Sequence, residues 1–458
     1  MANSISHAAE RMAFSVALDG LTKYAKKERT KGYVQLVNMV EKVLGDGWAP
    51  ETYEALRKGL GTDGKWSAFL DKVMDTVDPH VLKMIMLNAG YESGFRGFRE
   101  TQKKGRELGC RIPWIILFDP TSACNLHCTG CWAAEYGNRL NLSFADMDSI
   151  VTQGKELGIH AYFMTGGEPL VRRDDIIRLC EKHQDCAFMA FTNGTLVDDA
   201  FCREVKRVGN LMFSLSVEGF AAATDSRRGQ GTFDRVMQAM DIMHKYGLIY
   251  GTSICYTSAN YKAVTDDAFL DMLIDKGCLY SWYFHYMPVG NDASLELLPT
   301  PEQREYMYHR VREIRDWQGG KSIFTMDFQN DGEFVGGCIA GGKYYCHINP
   351  NGDVEPCVFI HYSGANIHEK SLLECLRQPL FREYQAEQPF NKNMLRPCPM
   401  LENPEKLRGI VEKTGAVSTD LQSPESCAHL CGKCEPYAAA WSSCAGRLWQ
   451  EEHPAAKG

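Results

Sequence analysis

Three cysteines spaced CxxxCxxC, namely Cys124, Cys128 and Cys131, constrain this chain more than anything else in it. They follow the apolar run Trp114-Ile115-Ile116-Leu117-Phe118, which reads as a buried strand ending at Asp119-Pro120. The thiols therefore belong on a loop at a strand's C-terminal end, where parallel α/β sheets place their chemistry. Cubane iron–sulfur clusters are held by cysteine thiolates, usually four. Three thiolates from one loop leave one iron open to a non-protein ligand. Structural zinc is an alternative, although its cysteines usually come as two close pairs. Buried small hydrophobes are another, against which the polar, turn-forming Asn125, His127, Thr129 and Gly130 weigh.

A second motif, Thr165-Gly166-Gly167-Glu168-Pro169, follows one βα unit later, after the strand-like His160–Met164. Two glycines allow close backbone approach, and carbonyls with a carboxylate can accept from an ammonium. Together the two motifs resemble the radical S-adenosylmethionine (radical SAM) superfamily. The resemblance implies a 4Fe–4S cluster on Cys124, Cys128 and Cys131, with SAM chelating the open iron. It also implies a SAM site that includes Gly166, Gly167, Glu168 and Pro169. Asn193 closes the third strand. Ser216-x-Glu218 stands where related enzymes often carry Ser-x-Asp, and Arg228 sits in a segment resembling their RGxGxF. These four are further expected SAM contacts, Arg228 as a bidentate partner of the SAM carboxylate. A helix-entry ion pair is the other reading of Arg228.

From 114 to about 316 a βα rhythm repeats, with strands expected at 160–164, 187–191, 211–217, 249–256 and 280–287. Helices are expected between them, the first capped at Ser143. The rhythm makes the fold class α/β, and the resemblance implies a partial (β/α)₆ radical SAM barrel (111–320), here with an N-terminal helical domain (1–110) and a C-terminal cysteine-rich extension (321–445). A polar tail is expected at 446–458. In the N-terminal region, one apolar helical run resumes after Gly32 and ends at Gly45-Asp46-Gly47. Another, Val81–Leu87, stops near Gly90.

The extension resembles a SPASM/twitch domain. Cys338, thirteen residues, Gly352, four residues and Cys357 match its opening, and Asn351-Gly352 predicts a type I′ hairpin. Cys398, Cys431 and Cys434 follow, but Cys444 lies too far on for the full two-cluster pattern. One auxiliary 4Fe–4S cluster is therefore expected, on Cys338, Cys357 and two or more of Cys398, Cys431 and Cys434. Cys346, Cys375, Cys427 and Cys444 are weaker candidates, and zinc is an alternative here as well.

Eighteen cysteines and a net charge of −8 bound the function. The acidic balance argues against a nucleic-acid partner. No apolar stretch has transmembrane length, and the N-terminus lacks a signal peptide, so a cytoplasmic protein is expected. The resemblance implies reductive cleavage of SAM to a 5′-deoxyadenosyl radical, which takes hydrogen from an unactivated carbon of the substrate. A low-potential electron donor of flavodoxin or ferredoxin type is implied as partner. No catalytic acid–base residue is singled out. By analogy the substrate is a peptide; the alternatives are a lipid acyl chain or cofactor precursor, or a non-catalytic iron–sulfur or zinc scaffold.

Overall fold

The computed structural model describes residues 2–45, 50–317 and 319–454. At its centre stands one nine-stranded sheet: β1 (Ile115–Phe118), β2 (Ala161–Met164), β3 (Ala187–Thr192), β4 (Leu211–Ser216), β5 (Tyr250–Tyr256), β6 (Tyr280–His285), β7 (Phe324–Asp327), β8 (Tyr345–Ile348) and β9 (Val354–Glu355). Their spatial order is β7-β6-β5-β4-β3-β2-β1-β8-β9. All neighbours run parallel except β8 and β9. Parallel strands are covered on both faces, which is why they are short apolar runs here. Ile116 and Phe118 are completely buried. The crossover helices 144–156, 173–182, 199–208, 232–245, 267–275 and 301–315 lie close to their expected places. Ser143 caps the first, its hydroxyl accepting from Asp146 N–H while the Asp146 carboxylate accepts from Ser143 N–H.

Several expectations are corrected. The boundary at 320 cuts through the sheet, because β7, β8 and β9 lie beyond it. β8 inserts beside β1, pairing Ile115 with Tyr345 through Phe118 with Ile348. The β8–β9 connection is not a two-residue type I′ turn: Gly352 has positive φ and Asn351 does not. Instead the Asn349 side-chain oxygen accepts from the N–H groups of Asn351 (3.0 Å) and Asp353 (2.9 Å). The tail expected from 446 is helical as far as Glu452, because Ala445 and Leu448 continue the buried face of Trp441.

In the N-terminal region the first break falls at Arg29 (φ 51°), not at Gly32, which lies inside the helix Thr30–Leu44. A Cβ on Gly32 would sit 2.3 Å from Ala25 Cα, so the glycine permits two helices to touch. Of the expected stop Gly45-Asp46-Gly47, positions 46 and 47 lie outside the described residues. No break occurs at Gly90: helix Pro79–Ile85 passes through a π-helical stretch, Met86–Gly97, into helix Phe98–Leu108. That stretch carries fully buried Glu92, paired with Arg11 (2.8 Å) and Arg96 (2.8 Å), and Asn88, whose amide donates to Cys186 O at 3.0 Å. The helices are thereby docked on the barrel. Among the described residues no helix is long and apolar enough to cross a membrane.

Candidate active site

The CxxxCxxC loop leaves β1 at Asp119 and is held by short polar bonds. Ser122 N–H donates to Leu140 O (2.9 Å), Thr129 N–H to Arg227 O (2.9 Å) and Leu126 N–H to Cys124 Sγ (3.4 Å). Gly130 has φ +65°, and a Cβ there would meet the Tyr286 ring at 2.6 Å. Cys124, Cys128 and Cys131 all border a chamber of about 250 Å³ inside the barrel. Burial pushes the Cys124 thiol up to about 11 and raises Cys131 too. Ligation by metal would have to displace those protons.

The glycine motif forms the next wall. Gly167 N–H donates to Thr121 O (3.0 Å) and Glu168 N–H to Ala123 O (2.8 Å). A Cβ on Gly167 would lie 2.3 Å from Ala123 O, and one on Gly166 would lie 2.6 Å from Thr121 O. The two glycines thus let this turn lie flat against the cysteine loop. The Glu168 carboxylate is buried and accepts from Thr192 Oγ1 (2.6 Å), Leu170 N–H (2.9 Å) and Asn193 N–H (2.8 Å). Burial raises its pKa, against the pull of these donors. Gly166, Gly167, Glu168, Asn193, Ser216 and Arg228 border the chamber; Pro169 and Glu218 do not.

Glu218 lies beneath two arginines. Its Oε1 accepts from Arg227 Nη1 at 2.7 Å and from Arg228 at 2.9 Å (Nε) and 2.5 Å (Nη2). Arg228 Nη1 also reaches Cys128 Sγ at 3.8 Å. Two guanidiniums against one carboxylate leave a net positive charge beside the thiols, suited to a thiolate cluster and to a carboxylate ligand. Arg227 and Cys255 border the chamber as well and were not among the expected site residues. Arg227 adjoins Arg228 in the same segment, which was its only signal.

The chamber changes character along its length. Besides the thiols and arginines, its wall includes Leu117 (β1), Phe163 (β2), Phe191 (β3), Trp282 and Phe284 (β6) and Phe328. It then continues through Ile339, Tyr345, Val358 and Phe359. Tilted rings pack along it: Phe191–Trp282 at 5.5 Å and Phe284–Phe328 at 5.2 Å between centroids.

Behind the loop lies a buried charged network. His347 stands between Asp119 (Nε2 to Oδ1, 3.1 Å) and Glu355 (Nδ1 to Oε2, 2.6 Å). Tyr136 OH donates to Glu355 (2.9 Å), and His361 pairs with Asp420 at 2.5 Å. Trp132, next to Cys131, packs edge-on against His347 and His361, both at 5.9 Å. Although burial opposes it, the two carboxylates push His347 up to about 10.

The C-terminal thiols form two groups. Cys338 Sγ lies 3.2 Å from Tyr384 OH, and Tyr345 OH donates to Cys357 Sγ at 2.8 Å. Cys398 is raised by burial and Glu402, with the Cys338 and Cys357 thiols as further neighbours. Cys431 and Cys434, expected in the same set, instead accompany Cys427 on the helix Cys427–Glu452. Cys427 and Cys431 sulfurs are 3.7 Å apart, and Cys434 has Cys431 as a neighbour. Among the described residues no three cysteine sulfurs come within 4.8 Å of one another. A tetrahedral zinc with bonds of about 2.3 Å brings its sulfurs to roughly 3.8 Å. The Cys427 and Cys431 sulfurs, 3.7 Å apart, have that zinc-like spacing.

The radical SAM superfamily model matches residues 118–274, and the iron–sulfur cluster-binding SPASM domain matches 338–400. The chain is 23% identical over 323 residues to the AdoMet-dependent heme synthase of Methanosarcina barkeri, covering 65% of this chain and 87% of the relative. It is 26% identical over 289 residues to the mycofactocin maturase MftC of Mycolicibacterium smegmatis, covering 58% and 68%. Among solved structures, Streptococcus suis SuiB bound to its precursor peptide SuiA has a similar fold, with TM-score 0.55 at 18% identity, covering 67% and 76%.

Proposed function

The chain is a radical SAM enzyme with a C-terminal SPASM domain, and on that premise we propose that it removes a hydrogen atom from a hydrocarbon-rich segment of its substrate. The observation that carries this is the apolar half of the chamber. A polar substrate carbon would exchange hydration for Leu117, Phe163, Phe191, Trp282 and Phe284, at a cost that a methylene chain does not incur. A lipid acyl chain or an apolar cofactor precursor fits best, and the kinship with heme synthases favours the latter class. The same lining would take an apolar side chain of a peptide, the class expected from the sequence.

In this reading Cys124, Cys128 and Cys131 hold the 4Fe–4S cluster, and Gly166, Gly167 and Glu168 line the SAM amino group's place. The Arg227–Arg228 pair supplies the positive charge for the SAM carboxylate, with Glu218 orienting both guanidiniums. When bound, cluster and SAM supply the 5′-deoxyadenosyl radical that takes the hydrogen. The aromatic wall positions the carbon and keeps water out. Cys338, Cys357 and Cys398 hold one auxiliary centre, and Cys427, Cys431 and Cys434 contribute to a second. A low-potential flavodoxin or ferredoxin supplies electrons.

The test is 5′-deoxyadenosine formation by the anaerobically reconstituted protein with SAM and dithionite. The wild type is expected to form it and the Cys124→Ala, Cys128→Ala, Cys131→Ala triple variant none. Saturated phospholipid or a tetrapyrrole is expected to raise the yield. Stimulation by peptides alone would replace the hydrocarbon reading.

A further inference from the structure

Cys255 is the one cysteine outside the CxxxCxxC motif on the chamber wall among the described residues. It is not an isolated thiol in the core. β5 turns Ser253 and Cys255 into the chamber and Ile254, fully buried, to the outer layer. Cys255 stands in register with Phe284 of β6, which begins the apolar wall. Its ionisable neighbours are Arg227, Glu218, Arg228 and Cys131, all at the cofactor end. The thiol therefore lies where the polar and apolar halves meet. It is free of any disulfide, so its sulfur has a hydrogen to give. By contrast Cys180, Cys186, Cys202 and Cys278 are buried in the core cluster that packs the crossover helices on the sheet.

We propose that Cys255 donates a hydrogen atom to a substrate carbon radical in this chamber. The proposal rests on the hydrogen-abstraction reading above and extends it to the fate of the radical. An S–H bond is weaker than an unactivated C–H bond, so the transfer runs downhill. The Cys255 S–H bond breaks and a C–H bond forms at the substrate carbon. The sulfur is left as a thiyl radical. One electron from a low-potential one-electron donor and one proton from water return it to the thiol. The attacked carbon thus ends with a hydrogen it received from the protein. That points to inversion of a centre, or to quenching of a radical adduct, rather than to desaturation.

Two measurements test this without knowing the substrate. In the metal-free chain at alkaline pH, where the reactive thiolate forms, iodoacetamide should alkylate Cys255 but leave Cys180, Cys186, Cys202 and Cys278 unmodified, read by peptide mass spectrometry. In the reconstituted enzyme, SAM and dithionite in D₂O without added substrate should yield 5′-deoxyadenosine carrying deuterium, since the chamber thiol exchanges with solvent. Deuterium per molecule of 5′-deoxyadenosine is compared between wild type, Cys255→Ser and Cys255→Ala, which makes the readout independent of the amount formed. Loss of deuterium in both variants supports the assignment. A Cys255 that resists alkylation overturns it. So does wild-type product without deuterium, or deuterium unchanged in Cys255→Ala. Absence of 5′-deoxyadenosine from cluster-loaded wild type would overturn the parent reading instead, and this one with it.

Discussion

His347 shows how a single residue can tie the active-site loop to the rest of the molecule. Its imidazolium is enclosed by Asp119 and Glu355, and Trp132 rests on its ring. A histidine whose folded pKa is raised from 6.5 to about 10 stabilises fully below 6.5, and that stabilisation is lost as pH climbs through 10. His347→Gln should therefore flatten the fall of the thermal midpoint between pH 7 and 10. It should also cost about 3–5 kcal/mol at neutral pH, because two carboxylates stay buried without their cation. Differential scanning calorimetry across that range checks both; an unchanged alkaline slope would show that His347 is not the charged centre of the network. Residues of this kind were not legible in the sequence. His347, Asp119 and Glu355 come from three separate segments, and only the pairing of β8 with β1 and β9 brings them together. Cys124, Cys128 and Cys131 were legible because their chemistry depends on spacing along one loop.

Among elements, the helix Cys427–Glu452 joins ligands to packing. Cys427, Cys431 and Cys434 recur at helical spacing on its buried side, and Tyr437 and Trp441 continue that side. Tyr437 OH meets His285 of the chamber wall at 2.8 Å, and Arg304 lies 4.2 Å over the Trp441 ring. The Cys427→Ser, Cys431→Ser, Cys434→Ser triple variant is expected to lose about four irons per chain, the content of one cubane. Iron and sulfide assays read this; unchanged iron would confine the auxiliary ligands to Cys338, Cys357 and Cys398. Periodicity located the crossover helices well, because each buries one apolar stripe on the sheet. It failed between Pro79 and Leu108. There Gly90 suggested a stop, but the backbone continues as a π-helix whose Glu92 and Asn88 face polar partners on other elements.

For the whole molecule, the decisive feature is that barrel and extension share a sheet. Cutting the chain at 320 would strip β8 from β1 and uncover Ile116, Phe118 and the Asp119 carboxylate, all fully buried. The fragment 1–320 is therefore expected to be insoluble or molten. The intact apoprotein should lose near- and far-ultraviolet dichroism in coincident transitions; separate transitions would mean that the two regions fold independently. The insertion also sets an order on biosynthesis. The interior strand β1 gains its second neighbour only once residues 345–348 have left the ribosome, long after the cysteine loop has emerged. Until then that loop hangs from an unfinished edge, open to whatever delivers iron and sulfide.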